Sequence, residues 1–420
     1  MLAKALKYIK TDVKHIPLGV KLIVFVMFLR TFGWGFVDPF FSIFVDEFSR
    51  NYTVVGAFLS LMSVISLLTV IPLMRLADKV KDARIMEDGE IFYLFTVAFY
   101  IAAGFMKSVP LLLIAFILNG IAHSFVIVGA ESYIRKHNGG SGNSRAFGYY
   151  TALSYSGWML GMFIAAYLIP YYSFNTMFLF ILPSIVISFF ILPRIRERGF
   201  KSFFRGLKKY FHKTEDFKSI ISDLKSLNHK MFFFLMLAFF DGMIVMFAYV
   251  FIPLFALTID LGLKEIALLL AAMYFPFVFS FFFSEFADRT KKMNLIAMGL
   301  FIGALSFILL SFIVHQLWVV VLACFISLSL AIIRPAYNGM ITQMTSHRML
   351  GEVTGLNNLF VRLGHIVGPI LSGLIADAYS IQISFFVIAV LAFSLGVVTI
   401  LLRGYDYLPM KSKDATLKLT

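Results

Sequence analysis

The chain has 420 residues, 60% of them hydrophobic and 14% charged, and its fifty Phe help to raise the mean hydropathy to +0.88. So little polar residue cannot cover a water-soluble globule, and continuous apolar runs exclude a transmembrane β-barrel, whose strands are short and alternate in polarity. The net charge of +14 is gathered in alternate loops, which explains it without nucleic acid. Cys324 is the single cysteine, so no intramolecular disulfide is possible, and no cluster of His, Cys and carboxylates has metal-ligand spacing. No metal and no cofactor are expected.

Runs of about 20 apolar residues, each able to cross roughly 30 Å of hydrocarbon, predict an all-α polytopic membrane protein. Hydropathy places helices at 18–47, 53–77, 89–107, 109–134, 145–170, 173–193, 230–257, 265–287, 293–314, 317–345, 351–377 and 380–403. Twelve transmembrane helices in two pseudo-symmetric six-helix bundles give residues 1–193 and 230–403, a linker at 194–229 and a tail at 404–420. The first run follows Lys4, Lys7, Lys10 and Lys14 without a small-residue cleavage site, and is read as a retained helix.

An even number of crossings puts both termini on one side. The even-to-odd loops hold Arg75, Lys79, Lys81, Arg84, Arg135, Lys136, Arg145, Arg289, Lys291, Lys292 and Arg348, whereas the opposite loops hold Arg50, Lys107 and Lys264. The positive-inside rule then predicts a multi-pass protein of the cell membrane with both termini cytoplasmic. Between Arg194 and Lys230, eleven Lys or Arg alternate with Phe200, Phe203, Phe204, Leu207, Tyr210 and Phe211, a pattern expected of amphipathic helices on the anionic inner leaflet. A partner-docking segment is the alternative.

The halves repeat. Ala77-Asp78-Lys79 is echoed by Ala287-Asp288-Arg289 at 288 − 78 = 210 residues. Gly148, Gly157, Gly161 and Ala166 match Gly355, Gly364, Gly368 and Gly373 at 364 − 157 = 207. Small residues at constant spacing in two helices of the same orientation predict parallel repeats related by an axis along the membrane normal. They also form faces on which helices can approach and slide.

With the doubled loop in view, the chain resembles the major facilitator superfamily, whose loop motif Gly-x-x-x-Asp-Arg/Lys-x-Gly-Arg-Arg/Lys is met at Asp78-Lys79 and Asp288-Arg289, with Lys292 at the next basic position. Met74 and Ser284 stand at the first glycine, Lys81 and Lys291 at the second. The resemblance implies a latch at the inner gate formed by Asp78, Lys79, Arg84, Asp288, Arg289 and Lys292, with Asp78 meeting the start of helix eleven near Gly351 to Gly355. A topology signal alone is the alternative. The stretch Gly364-His365-Ile366-Val367-Gly368-Pro369-Ile370-Leu371-Ser372-Gly373 resembles an element of the drug/proton antiporter branch, though in helix eleven rather than five, where Met162 replaces the proline. In helix four Asn119-Gly120 fits that branch and Phe116 stands where it has arginine.

Ionisable residues at membrane depth are costly unless they face a wet cavity or a partner, so they are the site candidates. Helix one carries Arg30 and Asp38, about 80° apart around an ideal helix. They form a structural pair or serve transport, and Gly33, Gly35 and Pro39 loosen the helix beside them. Helix four carries Asn119, His123 and Glu131; Glu131 either bridges to Arg135 at i+4 or takes part in transport, and His123 relays a proton or is simply hydrogen-bonded. In the second half stand Asp241, read as lying near its helix start and capping or solvated there, and Arg334, Arg362 and His365. Arg334 is expected to face the cavity, binding an anionic substrate group or pairing with Asp38 or Glu131. Trp34, Tyr150, Tyr155, Trp158 and Tyr337 are candidate pocket aromatics.

The expectation is a secondary transporter, not an enzyme, that moves a small molecule by alternating access as a monomer. Proton-coupled efflux of amphipathic compounds is favoured; proton-coupled uptake of a sugar, organic acid or peptide is the alternative, followed by a membrane-embedded enzyme or receptor.

Overall fold

The computed structural model describes residues 16–77, 80–137, 143–195, 229–313, 315–345 and 350–402. They form twelve helical segments: α1 (Leu18–Ser49), α2 (Tyr52–Ala77), α3 (Asp82–Met106), α4 (Val109–His137), α5 (Asn143–Leu168), α6 (Phe174–Arg194), α7 (His229–Thr258), α8 (Leu263–Val278, continuing as Ser280–Arg289), α9 (Lys292–Phe312), α10 (Gln316–Gln343), α11 (Leu350–Ala378) and α12 (Ile381–Leu401). Ten are long and apolar enough to cross a membrane, and α5 and the kinked α8 complete the set by position. The face bearing the ends of α2, α4, α8 and α10 is called the basic face below.

The expected helices are present with one informative shift. α3 starts at Asp82, not at residue 89, so Glu90 lies about two turns inside the helix rather than at its start, and it is 1% exposed. α1 is interrupted by a 3-10 turn at Asp38–Phe40. Pro39 has no N–H to continue the helical ladder, so the break falls beside Asp38. Pro276 stands just before the kink of α8, for the same reason.

Within the halves, α1 packs on α5, α3 on α4, α7 on α11 and α9 on α12. The small faces make two of these contacts possible. A β-carbon at Gly157 or Gly161 would overlap Phe28, Thr31 or Phe32 of α1, and one at Gly364 or Gly368 would overlap Phe239 or Met243 of α7. The matched glycines thus serve matched contacts, α5 on α1 and α11 on α7. Large apolar side chains such as Phe105, Phe190, Phe312 and Leu401 point outward, where lipid rather than water is their solvent.

Two seams join the halves: α2 with α11, and α5 with α8. At the face opposite the basic one, Asp377 at the end of α11 caps the start of α2. Its carboxylate accepts from Tyr52 N at 3.0 Å, Thr53 N at 2.7 Å and the Thr53 hydroxyl at 2.5 Å. Gly373 lies against Tyr52 and Thr53, Gly56 against the Pro369 carbonyl, and Ser60 donates to the Ile366 carbonyl at 2.7 Å. Toward the basic face, no side chain or neighbouring backbone among the described residues lies within 4 Å of where a Gly355 β-carbon would sit. The halves are therefore clasped along this seam at the face opposite the basic one.

Candidate functional site

Buried charges converge between and beside the seams. In the second half, Asp241 of α7 is 2% exposed and lies about three turns from the helix start, too deep to act as a cap. Arg334 of α10 donates to both of its carboxylate oxygens, at 3.0 and 3.2 Å, and Tyr337 donates to it at 3.1 Å. A forked, hydrogen-bonded pair is the arrangement in which two charges can be kept out of water. Arg334 thus pairs within its own half rather than with Asp38 or Glu131. It also reaches across to the Tyr155 hydroxyl on α5 at 2.8 Å.

In the first half, Arg30 of α1 is 6% exposed and donates to the Tyr93 hydroxyl on α3 and, at 3.1 Å, to Nδ1 of His123 on α4. Its guanidinium lies 4.4 Å from the Tyr93 ring centroid, and its Nε is buried without a hydrogen bond. A guanidinium has donors only, so Nδ1 of His123 accepts and that imidazole is neutral, with its hydrogen on Nε2. His123 is therefore hydrogen-bonded here, not poised to relay a proton. No salt bridge joins Arg30 to Asp38 among the described residues; Glu90, Tyr150 and Asp38 act on Arg30 only at longer range.

The two halves place these pairs at equivalent positions. Arg30 and His123 are separated by 93 residues, as are Asp241 and Arg334. One shift relates them, 241 − 30 = 334 − 123 = 211.

Asp38 sits in the break of α1, 9% exposed, and accepts from the Tyr249 hydroxyl of α7 at 3.1 Å, a bond between the halves. Beside it runs an aromatic wall across the α5–α8 seam. Tyr155 lies 4.9 Å from Phe277 and 5.8 Å from Tyr274, and Trp158 lies 5.6 Å from Tyr274, measured between ring centroids. Trp34 and Tyr337 are packed inside their own halves, not on this wall.

Arg362 of α11, half-buried, donates to Ser66 Oγ of α2 at 2.5 Å, and Ser124 of α4 lies 2.9 Å from the same oxygen. Glu131 forms the local bridge to Arg135 at 3.1 Å. Asn119 donates to Tyr100 at 3.1 Å inside the first half, away from the interface. Of the expected gate residues, Asp78 and Lys79 lie outside the described residues, as do the side chains of Asp288 and Arg289. Arg84 is on the first turn of α3 rather than in a loop and pairs locally with Glu87 at 2.6 Å and Asp88 at 3.5 Å. Lys292 is buried on the first turn of α9 beside Gly339. The linker at 196–228 also lies outside the described residues.

This geometry, two six-helix halves meeting at polar groups sunk in the membrane, has relatives. The profile of the Major Facilitator Superfamily matches residues 23–365 and 268–418. The chain belongs to that superfamily. Multidrug resistance protein 2 of Bacillus subtilis (strain 168) is 24% identical over 369 residues, covering 84% of this chain and 87% of that protein. Quinolone resistance protein NorA of Staphylococcus aureus (strain COL) is 24% identical over 366 residues, covering 85% and 90%. Among solved structures, the nucleoside transporter NupG as its D323A mutant superposes with a TM-score of 0.71 at 13% identity, covering 93% of this chain and 100% of that one. A bacterial homologue of the human lysosomal transporter Spinster, inward-facing and occupied, gives 0.70 at 14% identity, with 92% and 96% covered. This member of the superfamily is a multi-pass membrane transporter of small molecules and not an enzyme.

Sequence reasoning passed over Glu90, Tyr93, Tyr249 and Asp377. Glu90 had a signal, a carboxylate directly before the 16-residue stretch Ile91–Met106, but a helix expected to start at residue 89 put it at the helix end instead of two turns inside. The two tyrosines had none in a chain with eighteen.

Proposed function

We propose that the protein exports small amphipathic compounds in exchange for protons, alternating its central site between the two membrane faces with the basic face and both termini in the cytoplasm. The observation that carries this reading is Asp38, a carboxylate at a break in α1 whose hydrogen bond comes from Tyr249 of the other half. A hydrogen bond to an ionised carboxylate is about twice as strong as one to a neutral acid. Proton uptake at Asp38 therefore weakens a tie between the halves, which links proton binding to their relative movement. The aromatic wall of Tyr155, Trp158, Tyr274 and Phe277 offers apolar contact to a substrate, and the names of the B. subtilis and S. aureus relatives favour drug-like compounds.

In proteoliposomes, an imposed proton gradient is expected to move a lipophilic fluorescent dye against its own gradient in exchange for protons. Asp38→Asn should abolish this coupled flux and retain dye binding. Undiminished coupling in Asp38→Asn together with Glu131→Gln would remove both residues from the mechanism, and accumulation of dye on the basic-face side would reverse the direction.

A further inference from the structure

Arginine keeps its charge at membrane depth, whereas a buried carboxylate can take up a proton, so the obligatory charges of this site are positive. Three arginines stand there. Arg334 is matched by the forked contact with Asp241. Arg30 and Arg362 have no carboxylate in contact: among the described residues their hydrogen-bond partners are a tyrosine, a neutral histidine and a serine, and buried Glu90 acts on Arg30 only at longer range.

The two unmatched cations share one neighbourhood. Arg30 holds His123 at 3.1 Å, the adjacent Ser124 contacts Ser66 at 2.9 Å, and Ser66 takes the 2.5 Å bond from Arg362. Both Arg362 and His365 lie within electrostatic reach of the His123 ring. His123 and Arg362 are half-buried, Arg362 reaches across the halves to Ser66, and Arg30 stands behind His123. Glu131 acts on Arg362 but is engaged by Arg135 at 3.1 Å. At the equivalent positions of the second half, by contrast, the cation has its carboxylate.

We propose that the missing carboxylate is brought by the substrate: the site formed by Arg362, His123 and Arg30 binds the acidic group of an amphipathic carboxylic acid or zwitterion. The acid accepts from the free nitrogens of Arg362 and from Nε2–H of His123, with Arg30 supplying charge from behind. Its apolar part lies toward the aromatic wall. This rests on the export reading and narrows it to compounds with an acidic group.

The test uses the full chain in detergent with two matched fluorescent probes, dansylglycine and its neutral amide. Tighter binding of the acid, by about tenfold or more, is expected, with the preference lost in Arg362→Gln and partly kept in Arg362→Lys. The Lys variant, which restores charge at that point, separates loss of the site from loss of the fold. Equal binding of the two probes, failure of both to bind, or an acid preference that survives in Arg362→Gln and in Arg30→Gln overturns the proposal. Transport of dansylglycine under a proton gradient is measured in parallel in proteoliposomes. Its absence refutes proton-coupled export while leaving the acid preference standing as a binding property.

Discussion

The two halves put a polar pair at the same place and resolve it differently. Asp241 and Arg334 form a matched ion pair closed by Tyr337, while Arg30 and His123 form a cation held by neutral groups. The second half thus closes its pair by direct contact, whereas in the first half Glu90 and Asp38 act on Arg30 only from a distance. A duplicated fold can keep a contact between two helices while changing which residues make it, and the half whose cation has no carboxylate in contact is the one proposed to receive one from outside.

Perturbing the matched pair should have the largest effect. Arg334→Gln leaves Asp241 buried without a cation, and a loss of about 3 to 5 kcal/mol is expected in thermal or denaturant unfolding of the detergent-solubilised protein. Arg30→Gln strands no carboxylate in direct contact, so the same assay should register about 1 to 3 kcal/mol from broken hydrogen bonds. Equal or larger damage from Arg30→Gln would undo the contrast between the halves. His123→Asp supplies the first half with the carboxylate the second already has; the dansylglycine preference should then fall by about tenfold, or about 1.4 kcal/mol, without loss of stability. A preference unmoved by that substitution would mean that the missing charge is not what draws the acid. The smallest effect belongs to the contact between the halves, where Asp377→Ala removes a cap and should cost about 1 kcal/mol. With spin labels at Asn51 and Tyr379, both exposed, and Cys324 replaced, this should appear as a shift toward longer distances across the opposite face. An unchanged distance distribution would make the cap incidental to gating.

The helices, their pairing into halves and the duplication are legible in the sequence because hydropathy and repeated glycines report depth and spacing directly. Which buried charges meet is not, because that depends on the azimuth of each helix. Arg30 and Asp38 share a helix within 80° on an ideal cylinder, yet the turn at Asp38–Phe40 separates their environments and sends one toward α4 and the other toward α7. Glu90 is passed over for a different reason: Glu87, Asp88 and Glu90 depress hydropathy, so the helix is expected to start beside Glu90 although α3 begins about two turns earlier. The equal spacing of 93 residues is present in the chain from the start, but the paired positions carry unlike residues, Arg against Asp and His against Arg, so a search for matching letters misses it.

The cap on α2 has a further use. The first amides of a helix have no partner within it, and those of Tyr52 and Thr53 are held instead by a side chain 324 or more positions away in sequence, on the other half of the molecule. Their exchange with deuterated solvent is therefore governed by the separation of the halves and not by fraying of α2. They should exchange slowly while this face is shut and quickly once it opens, giving an unlabelled, single-site clock for the transport cycle.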